Sequence, residues 1–207
     1  MKYDIVIIGG GPAGLSFART LSDSDLRVLL VERAPESAVQ SPSIDGRDIA
    51  LTHLSMNLLE QMGILFRLPE NAISPIRAAN VINGDSTYCL NIDSQKEAVS
   101  ALGYLIPNYL IRQAFYDEVT ALGVVDIVYE TSVVQIETLN DCSKVSLSSG
   151  EVVETSLVVA ADSRFSETRR KQGISASMLD FGRVVIVSRM EHEKPHDGLA
   201  YECFLYG

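Results

Sequence analysis

Cysteine is scarce in this chain and never closely spaced. Cys89, Cys142 and Cys203 are the three cysteines in 207 residues, and no CxxC occurs. Such a count excludes a disulfide framework and disfavours redox chemistry through a cysteine pair. It is the usage of a reducing cytosol, with three buried, inert thiols expected. Histidine is as sparse. His192 and His196 stand four apart, but Pro195 lies between them, which disfavours a helical ligand pair, and a surface loop is expected. With His53 they make no recognisable metal site. No apolar run reaches the ~18 residues of a membrane span. Met1-Lys2-Tyr3-Asp4 enters an apolar run at once, which leaves no room for a signal peptide. Repeats, low-complexity tracts and long charge runs are missing too.

Positive charge is also short. There are 17 Lys and Arg against 27 Asp and Glu, a formal charge of −10 and a pI near 4.7. This balance argues against a nucleic-acid backbone as the main partner, and more weakly against a membrane surface, since a local basic patch can coexist with it. At 46% hydrophobic, the 207 residues suffice for one large domain or two small ones with a substantial core.

What is present is concentrated at the amino end. Tyr3–Ile8 is an apolar run, Gly9-Gly10-Gly11-Pro12-Ala13-Gly14 follows, and the next apolar run, Arg27–Val31, ends at Glu32. Strand, glycine turn, helix, strand and acid is the order a dinucleotide site requires. Gly9 lets the chain turn out of the strand, Gly11 lets the backbone approach a pyrophosphate, and Gly14 lets the helix lie close to the sheet. The helix amino end offers N–H groups and partial positive charge to the phosphates. Glu32, 18 residues beyond Gly14, can accept both hydroxyls of an adenosine ribose and repels a 2′-phosphate. The motif alone does not separate FAD from NAD.

Further along, Ala34–Asp48 reads as a loop. Leu54, Leu58, Leu59 and Met62 form a helical stripe that stops at Gly63. Arg77–Asn83 and Thr87–Ile92 flank Gly84-Asp85-Ser86 as a hairpin, an excursion into a second layer or domain. Ile111, Phe115, Val119 and Leu122 mark another helix closed by Gly123. Asp126–Tyr129 is a short strand, Val133–Glu137 and Lys144–Leu147 a β-meander, and Ser156–Ala160 a strongly apolar strand ending at Ala161-Asp162-Ser163. Arg183–Met190 and Ala200–Tyr206 both read as strands.

Three side chains stand out beyond the first motif. Arg47, in the loop Asp45-Gly46-Arg47, can reach a flavin or a pyrophosphate with two parallel N–H donors, or be a surface arginine. Arg112 lies one turn into its helix, beside the expected sheet edge, where a simple helix-surface charge is the alternative role. Asp162 stands at the carboxyl end of a strand, where ligands of open α/β sheets sit, and can hold a hydroxyl or an ordered water. A helix cap around Ser163–Ser166 is the competing role for that segment.

Taken together, these pieces resemble the class A flavoprotein monooxygenases, the FAD-dependent aromatic hydroxylases. Gly9, Gly11 and Gly14 with Glu32 match the family's first FAD motif, and Asp45-x-Arg47 through Ala50-Leu51 its flavin-side arginine segment. Asp162 with Ser166 and Arg169 matches its second motif, and Arg112 the arginine on the helix after the hairpin. Within the class the ubiquinone-biosynthesis hydroxylases are the most similar, through Asp45-Gly46-Arg47, Asn83-Gly84-Asp85-Ser86, the run from Ala161 to Arg170, and Asp180-Phe181-Gly182-Arg183.

The resemblance implies an α/β, Rossmann-like FAD-binding fold of three layers, a parallel sheet plus β-meander, with an incomplete β-rich substrate domain. It implies an FAD-binding domain at 1–72 and 98–175 and a partial substrate domain at 73–97 and 176–207. Pro12 and Ala13 join the glycines as cofactor-binding positions, with Arg33 beside Glu32, and Val133; no catalytic side chain and no metal is assigned. The implied reaction begins with hydride transfer from NAD(P)H to FAD. Dioxygen then forms a C4a-hydroperoxide, which hydroxylates a lipophilic polyprenylated phenol or quinol of ubiquinone biosynthesis. A cytoplasmic site follows, with peripheral association at the inner membrane or in a biosynthetic complex as a variant. An FAD-dependent reductase of the same fold and a catalytically inert FAD-binding module stay open as alternatives. Two departures stand against the family pattern. Ser163 occupies the place of a glycine, a subgroup character, and no later Gly-Asp motif or long C-terminal helix occurs by Gly207, as in a fragment or a truncated gene.

Overall fold

Strand β1 (Lys2–Ile8) is the centre from which the first half of the fold is built, with Val6 and Ile7 wholly inaccessible. The computed structural model describes residues 1–205. They divide into two units, Met1–Ser43 with Ile111–Val185, and Ile44–Leu110 with the chain from Ile186 onward.

In the first unit β1 leads to α1 (Pro12–Thr20), β2 (Val28–Val31) and the short helix α2 (Glu36–Gln40). The second unit begins with β3 (Asp48–Leu51), α3 (His53–Gln61), two 3-10 turns (Leu65–Arg67 and Glu70–Ala72), β4 (Ser74–Ile76), β5 (Ala78–Asn83), β6 (Cys89–Asp93) and β7 (Gly103–Pro107). Helix α4 (Asn108–Leu122), β8 (Val125–Val128), β9 (Val133–Thr138), β10 (Ser143–Leu147), β11 (Val152–Ala160) and α5 (Glu167–Lys171) follow, and β12 (Leu199–Phe204) closes the described chain. Among the described residues no helix is long and apolar enough to cross a membrane.

The first unit holds a six-stranded sheet in the order β8-β2-β1-β11-β10-β9. The pairs β8–β2, β2–β1 and β1–β11 are parallel; β11–β10 and β10–β9 are antiparallel. All four residues of β2 are buried, as the continuous run Val28-Leu29-Leu30-Val31 demands of a strand covered on both faces. One face carries Val6, Ile8, Leu29 and Val31, which pack with Val145, Leu147 and Val153 of the meander. On the other face Ile7 lies against α1 at Gly14. Arg19 of α1 pairs with Glu118 of α4 at 3.1 Å, which sets those two helices side by side. Sheet, meander and helices are the three expected layers. Strand β11 serves two of them: Glu154–Ala160 run parallel to β1, while Val152–Thr155 pair with β10.

The second unit contains two three-stranded sheets, β3-β7-β4, which is antiparallel throughout, and β12-β5-β6. The expected hairpin is β5–β6, and β12 runs parallel to β5 on its other side. Thr52 caps α3 by accepting the Ser55 N–H at 3.2 Å. Of the expected apolar stripe on that helix only Leu59 is buried; Leu54 and Leu58 are exposed.

Four expectations need correction. Ala34–Asp48 is not all loop. Pro35 starts α2, Val39 is buried, and the Tyr116 hydroxyl donates to Glu36 at 2.8 Å, a long-range bond that local sequence does not announce; Asp48 already belongs to β3. Arg183–Met190 is not a strand. Among the described residues no strand pairs with it to supply ladder hydrogen bonds, and Val184, Val185 and Ile186 are about nine-tenths exposed. The thiols are not buried: Cys89 and Cys203 are exposed on the outer strands of the β12-β5-β6 sheet, and Cys142 is half-buried. The last strand is Leu199–Phe204, and Tyr206 of the expected strand lies outside the described residues.

Candidate cofactor-binding site

At the carboxyl end of β1 the backbone is tied on both sides before it turns. Gly9 donates to Val31 O at 2.8 Å, and Ala161 donates to Ile8 O at 2.8 Å. Gly9 then adopts φ +108°. A Cβ there would sit 2.5 Å from the Ala161 carbonyl oxygen, and a Cβ on Gly14 would collide with the carbonyl oxygen of Gly9. Both glycines are therefore demanded by the protein's own packing. Gly11 is different. Its φ is −76°, open to any residue, and no atom lies within 4 Å of where its Cβ would be. The space above Gly11 is free for a ligand that must come close to the backbone. Pro12 begins α1 without needing an N–H, and no side chain caps the helix, so the first-turn amides of Ala13 and Gly14 remain available to an anion.

Glu32 closes this turn from the side. Its Oε2 accepts the Gly10 N–H at 2.5 Å and its Oε1 accepts the Ala34 N–H at 2.7 Å. Each oxygen keeps a second lone pair for a hydroxyl. Arg33 beside it is exposed. Val133 packs its side chain against the core cluster of the meander face, and its carbonyl accepts from Lys171 Nζ at 3.2 Å.

The second strand end brings Asp162 beside the glycine turn; its Cα would lie 3.1 Å from a Cβ on Gly9. Asp162 Oδ2 accepts the Thr168 N–H at 3.0 Å. Asp162 Oδ1 is buried and has no hydrogen-bond partner. Burial pushes this carboxyl up, but hydrogen bonds from Ser166 and from Thr168 outweigh it and hold the group below the ordinary carboxylate range. The helix cap in this segment is Ser166, which accepts the Arg169 N–H at 2.9 Å. Ser163 has φ +112°, so the residue standing at a glycine position keeps a conformation glycine favours, at a cost of about 1–3 kcal/mol. Thr168 goes unnoticed in the sequence, because its strongest link to Asp162 is a backbone donor with no side-chain signature.

Arg112 is half-buried in the body of α4 and makes no ion pair among the described residues. Arg47 belongs to the second unit. Its Nε and Nη2 donate to Asp45 Oδ2 at 2.9 and 2.6 Å, and Asn108 Nδ2 donates to the same oxygen at 2.6 Å. Hydrogen bonds from Arg47 and Asn108 hold the Asp45 carboxyl down at about 2. A cleft of about 520 Å³ adjoins the segment after β11, lined by Leu157 and Val158 of that strand and by Ser163, Arg164, Ser166 and Arg169.

These residues suit an adenine dinucleotide with a polyhydroxyl arm. The open backbone at Gly11 and the uncapped helix suit a diphosphate, the free lone pairs of Glu32 a ribose, and the partnerless Asp162 oxygen a hydroxyl donor.

Comparison with known proteins agrees. The ubiquinone hydroxylase UbiM of Neisseria meningitidis serogroup C is 45% identical over 100% of this chain and 46% of its own length. The ubiquinone hydroxylase UbiL of Rhodospirillum rubrum is 32% identical over 98% of this chain and 47% of its own. The chain thus spans about half the length of these curated relatives. Among solved structures, Pseudomonas aeruginosa PqsL in complex with 2-aminobenzoylacetate superposes with a TM-score of 0.73 at 21% identity, over 87% of this chain and 48% of that one, a likeness of fold. A family model described as FAD binding domain matches residues 2–206, and with the open glycine cradle and its acid in place, the chain belongs to the FAD binding domain family.

Proposed function

We propose that this chain is the FAD-holding part of an NAD(P)H-dependent monooxygenase that hydroxylates a polyprenylated phenol or quinol in ubiquinone biosynthesis. The observation that carries the reading is the open backbone at Gly11 together with the partnerless Asp162 oxygen, whose residue lies against Gly9 of the same turn. The names of the similar hydroxylases supply the substrate class. Bound FAD supplies the reduction and oxygen-activation chemistry. The chain's own residues bind and orient. Gly11, Ala13 and Gly14 receive the diphosphate, Glu32 the ribose and Asp162 a hydroxyl. Arg112 adds positive charge for the phosphates. In this reading residues 1–72 and 98–175 serve the flavin and 73–97 with 176–207 serve the substrate. The lipophilic substrate is reached from the cytoplasmic side, at or near the inner membrane.

The test is NAD(P)H oxidation with oxygen uptake and product analysis on a quinol substrate. Hydroxylated product with matched oxygen uptake supports the reading; hydride consumption without oxygenated product replaces it with a reductase. A second reading, an FAD-binding module that does not turn over by itself, draws on the exposed apolar segment Val184–Ile186. It predicts a yellow, flavin-loaded chain that consumes no NAD(P)H.

A further inference from the structure

The acid proposed to receive the adenosine ribose is itself held, and the hold runs back to a buried phenol. Glu32 Oε1 accepts the Ala34 N–H at 2.7 Å, so the place of that carboxylate depends on the place of Ala34. Ala34 is pinned on its other side, where its carbonyl accepts the Glu130 N–H at 3.2 Å. Glu130 stands at φ +51°, a left-handed conformation that is costly for a residue other than glycine and persists only where the surroundings enforce it. Pro35 comes next. Its ring fixes its own φ and confines Ala34 to extended backbone, so the link onward is stiff. Glu36, the first residue of α2, follows, and its Oε1 accepts the Tyr116 hydroxyl at 2.8 Å. Tyr116 is 5% exposed in the body of α4, one turn beyond Arg112. Burial, with the Glu36 carboxylate beside it, pushes the phenol far above its ordinary value, so it stays a proton donor. A helix as short as α2 has little stability of its own, and this bond and the buried Val39 anchor it. The path from α4 to the ribose acid is continuous: Tyr116 to Glu36, through Pro35 to the Ala34 N–H, and on to Glu32.

We propose that the Tyr116–Glu36 hydrogen bond is a brace that sets the Glu32 carboxylate for the adenosine ribose of the cofactor. Tyr116 and Glu36 act through Ala34 and Glu32 and are positioning residues. The inference rests on the reading of the glycine turn and Glu32 as the FAD site.

The test uses two ligands, FAD and its analogue lacking the adenosine 2′-hydroxyl, each titrated by flavin fluorescence, beside the Tm of the flavin-free chain. The unaltered chain is expected to prefer FAD by at least about tenfold, since a hydroxyl on a carboxylate is a charge-assisted bond. Tyr116→Phe keeps the ring in the core. It is expected to shrink the preference to within about threefold, with the loss falling on FAD and not on the analogue. Glu36→Ala is expected to do the same, and the double variant to lose nothing more. Glu36→Gln, whose amide oxygen still accepts from the hydroxyl, is expected to keep the preference to within about twofold of the parent. A Tyr116→Phe chain with a lowered Tm and full preference, or with equal losses for both ligands, would reduce Tyr116 to a packing residue and overturn the brace. Additive losses in the double variant would overturn it too. An unaltered chain that binds FAD without preferring it would remove the ribose role of Glu32, and one that binds no FAD would remove the cradle reading, so those failures are distinct from a failure of the brace.

Discussion

The Glu32 carboxylate accepts the backbone N–H of Gly10 at 2.5 Å, across 22 residues of sequence. With Ala34 on its other oxygen, it binds the glycine turn to the end of β2 before any ligand arrives. The acid at this position therefore has a structural role beside the ligand role proposed for it.

Removing it should show both roles. Glu32→Ala is expected to lower stability by about 1–3 kcal/mol, since two backbone donors lose a charged acceptor, and to weaken FAD binding by at least tenfold. Urea denaturation of the flavin-free chain measures the first effect and a fluorescence titration the second. Unchanged stability would contradict the structural role.

The three motif glycines should separate cleanly. Gly9→Ala meets the Ala161 carbonyl at a positive φ, and is expected to cost more than about 2 kcal/mol and to give little folded protein. Gly11→Ala meets nothing and is expected to cost at most about 1 kcal/mol of stability, while FAD binding falls sharply. Thermal melts in the absence of flavin distinguish the two.

Arg112 is a half-buried cation without an ion pair among the described residues, so replacing it should not harm the apo fold. Arg112→Met is expected to leave the flavin-free Tm within a degree or two and to weaken FAD binding about tenfold, near 1.4 kcal/mol, with a shallower salt dependence. A large Tm loss would show that it serves packing instead.

The Asp45–Arg47 loop should respond to acid at an unusual pH. Asp45 is held at about 2, below its ordinary 3.8, chiefly by the Arg47 hydrogen bond. A depressed carboxyl contributes stability that is complete above its unfolded value and is lost as the pH falls through its folded one. The loop should therefore stay closed at pH 4 and open between about 4 and 2. Carboxyl titration by NMR measures the midpoint, and Asn108→Ala should move it upward.

Buried Thr155 offers a test of the β11 core. Its hydroxyl donates to the Asp4 carbonyl at 3.0 Å, within the parallel sheet. Thr155→Val keeps the shape and is expected to cost about 1–2 kcal/mol by denaturant unfolding.

What could be read in the chain was whatever depends on neighbours in sequence. The run Tyr3–Ile8, the glycine turn and Glu32 lie within 32 residues and obey local rules, so strand, helix start, second strand and acid all fall where the pattern puts them. The hairpin β5–β6 is legible for the same reason. Helix α2 was not, because what holds it is Tyr116, 80 residues from Glu36. Arg183–Met190 misleads because β-propensity describes a surface that wants a partner, and among the described residues no strand pairs with it.

The amino-acid order by itself determined the local pattern of the cradle: where the glycines fall between strand and helix, and where a carboxylate ends the second strand. Only the tertiary structure decided how each glycine is used, that Ser163 must hold a glycine-like turn, and that one oxygen of Asp162 is left without a donor. The reason is physical. Local pattern sets which conformations a segment can adopt, whereas crowding between strand ends distant in sequence sets which atoms are used up and which remain for a ligand.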